Sequence, residues 1–309
     1  MLLFCARHAR WLLVSGLLVG IALPGLARAA EPLIVPLLGV LLCLAVLREG
    51  PRALLPGAGT GRRAVLLTLA LQAAPPLVAG ALLWALGGLE TPLGVALVLV
   101  LAASPITGAP GLAVMSGADA GLALRLLTLG TALLPLTAAP VFALLPSFPG
   151  PVAVAAGALR LLVVIAAAVA LAVLLRRVFP RLRAPHHRTA FDGAMALAMA
   201  VIVVALMSAL LPAARETPGV LIASLTAALA IYAVQVRIAW SCARRSGLTA
   251  EKSRAIAIAG GNRNLALFLA AVPAETTLPL MVFIGCYQIP MYLTPLALPW
   301  LTDGRAARA

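Results

Sequence analysis

Charged side chains are scarce in this sequence. Only 10% of its 309 residues are Asp, Glu, Lys or Arg, whereas 63% are hydrophobic and the mean hydropathy is +1.10. About a quarter of the residues of a soluble domain are charged, so this chain has too few charges to hydrate a globular surface. The shortage excludes a soluble enzyme, a disordered protein and a nucleic-acid-binding protein.

The sequence also lacks cysteines at paired spacings, and it lacks carboxylates inside the apolar stretches. The four cysteines show no CxxC or metal-ligand spacing, which excludes a disulfide framework and a zinc site. The nine acidic residues all lie at or beyond the ends of the long apolar stretches. No nucleophile–base pair or nucleotide-binding motif is recognisable, so we expect neither an enzyme nor an ATP-driven pump.

Long apolar stretches fill the rest of the chain. A membrane-spanning helix needs about 20 mostly apolar residues, and a spanning β-strand would alternate apolar and polar side chains. The sequence therefore predicts an all-α polytopic membrane protein with ten transmembrane helices. Their expected ranges are 11–29, 33–47, 64–87, 92–117, 120–145, 152–175, 191–212, 218–241, 253–273 and 277–301.

The distribution of basic residues predicts the orientation. If both termini are cytoplasmic, 18 arginines and lysines fall on the cytoplasmic side, and the outer loops hold only Arg28 and Arg215. This asymmetry follows the positive-inside rule, and we expect a multi-pass protein of the inner (plasma) membrane. Residues 1–30 also resemble a secretory signal peptide, whose cleavage would leave nine spans.

Ten spans divide into two sets of five, residues 1–151 and 152–309. Because five is odd, the second set must be inverted relative to the first, as in many secondary transporters. Clusters that break a helix lie in the fourth span, at 104–111, and in the ninth, at 259–264. Such paired interruptions are the best indication in a sequence of a transport site.

Arg263 lies near the middle of the ninth span without an acidic residue in that span. A charge at that depth costs at least about 2.5 kcal/mol. Two interpretations remain open, and they are compatible. In the first, Arg263 stabilises the structure by binding Thr107 or carbonyls of the broken helix. In the second, it binds an anionic substrate directly.

Most of the chain resembles the bile acid:sodium symporter family, and the likeness is strongest around residues 100–140 and 250–270. The likeness rests on the broken fourth helix ending in Met115-Ser116-Gly117-Ala118-Asp119, on Leu133-Leu134-Pro135-Leu136, and on Arg254-Ala255-Ile256-Ala257-Ile258 leading to Asn264. The resemblance implies a core domain and a panel domain, each drawn from both halves. It also implies fourth and ninth helices that cross, and sodium-driven uptake of organic anions. The related arsenite exporters are less similar, since no cysteine lies in either break.

The chain departs from the family at the positions that hold sodium. The family's ninth-helix Glu and Gln fall on Ala259 and Arg263, and only Asn264 is kept. The sodium-binding Ser-Asn pair of the fourth helix falls on Ala109 and Pro110 if the gap is placed upstream. The Ser and Thr ligands of the fifth helix fall on Ala123 and Leu127. Sodium is therefore possible but disfavoured, and no other cofactor or metal is expected.

These residues together predict a secondary transporter of a small organic anion, independent of sodium, with Arg263 in place of a sodium-site ligand. A sodium-coupled symporter and a transport-inactive anion-binding protein are the alternatives. The expected partners are the lipid bilayer and the anion, and no oligomer is specified. The candidate substrate-binding residues are Arg263, Asn264, Asn262, Thr107, Gly108, Ser104 and Gln72.

Overall fold

The structure, a computed structural model, describes residues 1–50 and 61–303. It is 84% helical, and the described residues form no strand. The α-helices in these ranges are α1 (Leu2–Arg7), α2 (Ala9–Ala22), α3 (Pro24–Ala30), α4 (Ile34–Glu49), α5 (Gly61–Gln72), α6 (Ala74–Ala85), α7 (Pro92–Ala102), α8 (Ala109–Met115), α9 (Ala120–Phe142), α10 (Gly150–Val178), α11 (Arg188–Leu206), α12 (Leu210–Glu216), α13 (Pro218–Arg245), α14 (Ala250–Gly261), α15 (Ala274–Tyr292) and α16 (Thr294–Asp303).

Six helical segments in the described ranges are long and apolar enough to cross a membrane. A seventh is added if Leu280–Tyr292 and Thr294–Thr302, bent by 71°, are counted as one span. The protein is therefore an all-helical, multi-pass membrane protein. The six segments are Pro24–Glu49, Arg62–Ala85, Ala120–Phe142, Gly150–Val178, Arg188–Glu216 and Pro218–Arg245.

The boundary between the first two expected spans differs from the sequence prediction. The helix α2 ends at Ala22, and Pro24 begins a nearly continuous segment that runs to Glu49. A proline disfavours the α conformation of the residue before it, and Leu23 accordingly has φ −120° and ψ 71°. Residues 24–29 therefore belong to the second apolar segment instead of the first.

The third expected span is one apolar segment with a local break. α5 ends at Gln72 and α6 begins at Ala74. Pro75 and Pro76 have no N–H to donate to the carbonyls of Leu71 and Gln72. These two carbonyls therefore lack the amide donors that a regular helix would supply.

Helix contacts fall into two groups. In the first, α2 and α4 pack against α11, and α4 also packs against α10. In the second, α13 packs against α14, α15 and α16, while α9 packs against α5, α8 and α14. α9 also touches α10, which links the groups. Each group therefore combines helices from the first and the second half of the chain.

Candidate functional site

The two interrupted segments meet in the interior. The first joins α7 to α8, and the second joins α14 to a 3₁₀ helix, Leu265–Ala270. The amide of Ile106 donates to the carbonyl of Asn262 at 2.8 Å, and that of Asn264 donates to the carbonyl of Ser104 at 2.7 Å. Pro105 and Arg263 thereby form an antiparallel bridge. Backbone groups freed by the two breaks satisfy each other, as membrane burial requires.

Small side chains allow this close approach. A Cβ on Gly261 would lie 2.3 Å from Cγ2 of Val236, and one on Gly130 would lie 2.8 Å from Cδ of Pro105. Real Cβ atoms do not approach other atoms this closely. Glycine at both positions is therefore needed for the neighbouring helices to touch the bridge.

Arg263 is buried at the bridge, with 1% of its surface exposed. Its Nε donates to the carbonyl of Gly260 at 2.7 Å and, at 3.4 Å, to Oε1 of Gln235. Nη1 donates to the carbonyl of Ala103 at 2.8 Å, and Nη2 donates to that of Leu71 at 2.5 Å. The guanidinium is thus held by the protein itself, mainly by backbone carbonyls.

These three carbonyls are free because each lies at the end of a helix. Leu71 precedes Pro75 by four residues, Ala103 follows the last residue of α7, and Gly260 lies in the last turn of α14. The amide of Asn264, which a continuing helix would direct to Gly260, donates to Ser104 instead. The carboxyl end of a helix carries partial negative charge. Three such ends therefore stabilise a cation that has no carboxylate partner among the described residues.

A small cleft lies beside the bridge. Its volume is about 30 Å³, which is room for one or two water molecules. Its polar lining comes from Thr107, Arg263, Asn264, Gln288 and Tyr292, and the remainder is mostly aliphatic side chains and methionines of α4, α11 and α15. The cleft therefore lies between the two groups of helices.

A second cleft, of about 40 Å³, lies against a different set of helices. Leucine, valine and isoleucine of α4, α9 and α10 dominate its lining, and Glu49 and Gly50 also contribute. Thr107 lines both clefts. This residue of the first break therefore borders both spaces.

The structure divides the predicted site residues into two sets. Thr107, Asn264 and Arg263 line the first cleft, and Gly108 is the N-terminal cap residue of α8 beside them. Ser104, Asn262 and Gln72 are buried and do not line it. Their side chains make hydrogen bonds inside the protein instead.

Ser104 and Asn262 make hydrogen bonds that connect the two breaks to other segments. Oγ of Ser104 accepts from Thr131 at 3.5 Å. Nδ2 of Asn262 donates to the carbonyl of Ile258 at 3.0 Å, and its Oδ1 accepts from Thr294 at 2.8 Å. Ser104 and Asn262 therefore fix the backbone at the two breaks.

Gln72 is only half satisfied. Its Nε2 donates to the carbonyl of Gly130 and to Oγ1 of Thr137, both at 3.0 Å. Its Oε1 is buried without a donor in the described part of the chain. Gln72 therefore offers one free oxygen behind the bridge.

Residues of the last apolar segment complete the site. Gln288 is 6% exposed and lines the first cleft, whereas the hydroxyl of Tyr287 donates to the carbonyl of Gly261 at 2.6 Å. Gln288 is not among the predicted site residues. A lone amide in an apolar stretch was its only signal, and the fold decided which polar residues of that stretch face the cleft.

No cluster of three or more His, Cys, Asp or Glu that could hold a metal ion is present within residues 1–50 and 61–303. The site instead contains a buried cation, neutral amides and hydroxyl groups. In comparisons with known proteins, no protein-family model matches the chain, and no curated protein is significantly similar to it.

Proposed function

We propose that this protein is a secondary transporter that moves a small organic anion by alternating access. One observation carries the proposal. Two interrupted helices bond to each other around a buried guanidinium, and Thr107 beside them borders a cleft on each side. A binding site placed between two spaces, at the boundary of two helix groups, is what alternating access requires.

The proposed topology is ten spans in two inverted repeats, residues 1–151 and 152–309, with both termini in the cytoplasm of the inner (plasma) membrane. It is supported by the ten apolar stretches and the arginine asymmetry. The two helix groups, each drawn from both halves, fit the panel and core domains that the bile acid:sodium symporter resemblance implies. We propose that the chain is a divergent member of that family and not an enzyme.

The proposed substrate site is the first cleft, with Thr107, Asn264 and Gln288 as direct contacts. The guanidinium of Arg263 donates three of its five N–H groups to carbonyls, so we assign it the role of holding the bridge and making the electrostatic potential of the cleft positive. At 30 Å³ the cleft admits water only. Binding of an organic anion therefore requires the two helix groups to separate.

Transport is proposed to be independent of sodium. Sodium prefers several oxygen donors with some negative charge, and no carboxylate contacts the bridge among the described residues. Nη2 of Arg263 also bonds to the residue next to Gln72, so a sodium ion at the free oxygen of Gln72 would be repelled. That oxygen is nevertheless the one observation that favours the sodium-coupled alternative.

Proteoliposomes containing the full chain test both points. We expect counterflow of labelled pantoate or a bile salt, with rates that differ less than two-fold between sodium and N-methyl-glucamine at constant ionic strength. A ten-fold requirement for sodium would establish the symporter alternative. Saturable binding without counterflow would establish the anion-binding protein that does not transport.

The cleft residues are tested by Asn264→Ala and Gln288→Ala. Both variants should raise the apparent KM for the anion about ten-fold, because each amide lost is one hydrogen bond to a charged group, worth about 1.5 kcal/mol. Leu136→Ala, at a residue that is 71% exposed, is the control and should leave the KM unchanged. An unchanged KM in both test variants would place the anion elsewhere.

A further inference from the structure

The connection between α10 and α11 concentrates positive charge. Residues 176–188 contain five arginines, two histidines and no acidic residue. The side chains of Arg177, Arg181, Arg183 and Arg188 are exposed. The carboxylates of the adjoining helices, Glu49 of α4 and Asp192 of α11, both pair with Arg48. The exposed guanidiniums therefore have no carboxylate partner in the described part of the chain.

The connection lies at the surface of the membrane because of the two helices that it joins. Both helices are long and apolar enough to cross a membrane. The 29 residues of α10 extend about 43 Å at 1.5 Å per residue, more than the hydrocarbon thickness of about 30 Å. Two short 3₁₀ turns, Pro180–Arg183 and Pro185–His187, then return the chain to α11. The arginines therefore lie at the depth of the lipid headgroups.

Two apolar side chains accompany these cations. Val178 and Phe179 are 58% and 54% exposed at the end of α10. In water this surface would be unfavourable, whereas next to headgroups a phenyl ring inserts among the first carbons of the acyl chains. Free phosphate has no acyl chain to meet such a surface, so the combination favours a lipid.

The position of the turn is fixed by two hydrogen bonds. Nε of Arg183 donates to the carbonyl of Arg176 at 3.0 Å, and Nη1 of Arg176 donates to that of Leu47 at 2.5 Å. The turn is thereby tied to the carboxyl end of α4. The remaining guanidiniums project from an anchored backbone, which reduces the entropy lost when they bind a ligand.

We propose that this turn binds the headgroup of an anionic phospholipid in the cytoplasmic leaflet. Arg177, Arg181 and Arg188 contact the phosphate, and Phe179 inserts beside the acyl chains. A lipid held there touches the ends of α10 and α11, which both pack against α4. Anionic lipid therefore stabilises the helix group formed by α2, α4, α10 and α11.

The test measures lipid binding to the purified full chain in detergent by native mass spectrometry, with phosphatidylglycerol and phosphatidylcholine as the two probes. The variant Arg177→Gln with Arg181→Gln should weaken phosphatidylglycerol binding about 30-fold, since each cation near the surface contributes about 1 kcal/mol. The control, Arg62→Gln with Arg63→Gln, removes the same charge from the exposed start of α5 and should change binding less than two-fold. Equal losses in both variants would overturn the proposal in favour of diffuse attraction.

Two further measurements separate lipid from free phosphate. Phe179→Ala should weaken phosphatidylglycerol binding several-fold, and inorganic phosphate at ten-fold excess should not displace the lipid. Displacement by phosphate, or no effect of Phe179→Ala, would overturn the assignment to a lipid. If the double variant does not fold, Arg181→Gln alone, at an exposed side chain, should still cost about five-fold in affinity.

Discussion

At the scale of single residues, Arg263 shows how a cation is tolerated in a membrane interior without a carboxylate. Its insertion costs at least about 2.5 kcal/mol. Each hydrogen bond to a charged donor returns about 1.5–3 kcal/mol, and three short ones reach the guanidinium. The planar fork of arginine suits three divergent carbonyls, whereas the compact ammonium of lysine does not.

Replacing Arg263 with Gln should therefore destabilise the protein. At least two buried carbonyls lose their donor, at about 1–3 kcal/mol each, so the free energy of unfolding should fall by about 2–6 kcal/mol. Thermal unfolding in detergent measures the change. Arg125→Gln, at an exposed side chain of α9, is the control and should shift stability by less than about 0.5 kcal/mol.

Arg263→Lys separates charge from geometry. It keeps the positive charge but not the fork, so we expect it to recover less than half of the stability lost in Arg263→Gln. Full recovery would show that the charge alone matters and that the three separate hydrogen bonds do not.

Thr294 holds the second break to the last apolar segment. The hydroxyl of Tyr232 lies 2.7 Å from Oγ1 of Thr294, which in turn donates to Oδ1 of Asn262 at 2.8 Å. All three side chains are buried. Their two hydrogen bonds share the hydroxyl of Thr294, so the three side chains form one connected chain.

Thr294→Val and Tyr232→Phe should therefore not be additive. Each variant should cost about 1–2 kcal/mol, since each breaks the same chain of bonds. The double variant should cost at least about 0.5 kcal/mol less than the sum. Chemical denaturation of the four proteins measures the coupling, and additive losses would show that the two hydroxyls act separately.

At the scale of elements, the groups that hold Arg263 and Asn262 all lie at or next to breaks in helices. The interruptions at 103–108 and 262–264 and the break at Ala73 all direct backbone carbonyls towards Arg263. The break at Leu293, where the last segment bends by 71°, is followed by Thr294, which bonds to Asn262. Prolines and glycines thus bend the helices and also free backbone carbonyls and amides in the interior to bond with other segments.

The contact of α9 with the first break is tested by Gly130→Ala. The new methyl group would lie 2.8 Å from Cδ of Pro105 and 2.9 Å from Oε1 of Gln72. Such overpacking costs about 1–3 kcal/mol, and anion counterflow should fall with stability because the bridge is displaced.

Gly111→Ala is the matched control, because a Cβ there meets no atom within 4 Å. Alanine favours the helix over glycine by up to about 1 kcal/mol, so this variant should be neutral or slightly more stable. Equal destabilisation by both substitutions would contradict the close approach at Gly130.

At the scale of the whole molecule, the cysteines provide a test of orientation. Cys5, Cys43 and Cys286 are buried, with 6%, 5% and 1% of their surface exposed. Cys242 is exposed near the carboxyl end of α13, beside Arg244 and Arg245. If the proposed orientation holds, its thiol faces the cytoplasm.

A membrane-impermeant maleimide should therefore label this protein only from the cytoplasmic side. We expect one label per chain in inside-out vesicles, none in intact cells, and none after Cys242→Ser. Labelling of intact cells at Cys242 would reverse the proposed orientation, and labelling after Cys242→Ser would contradict the burial of the other three thiols.

Composition and pattern sufficed to predict an all-helical membrane protein and the two interruptions. Hydropathy reports burial in lipid, and proline and glycine act on the backbone wherever they stand. Arg263 was recognisable because an arginine is costly anywhere in an apolar span. These properties depend on each residue and its immediate neighbours, so they can be read along the chain.

Only the tertiary structure decided which groups meet. Nothing local shows that the carbonyl of Leu71, freed by Pro75, lies next to a guanidinium 192 positions away in the chain. Likewise, the cleft selects Gln288 and Asn264 over Asn262 and Gln72 because of how the helices are rotated against one another. Helix rotation is fixed by packing between distant segments, with glycines such as Gly130 and Gly261 setting the distances, and that information is spread over the whole chain.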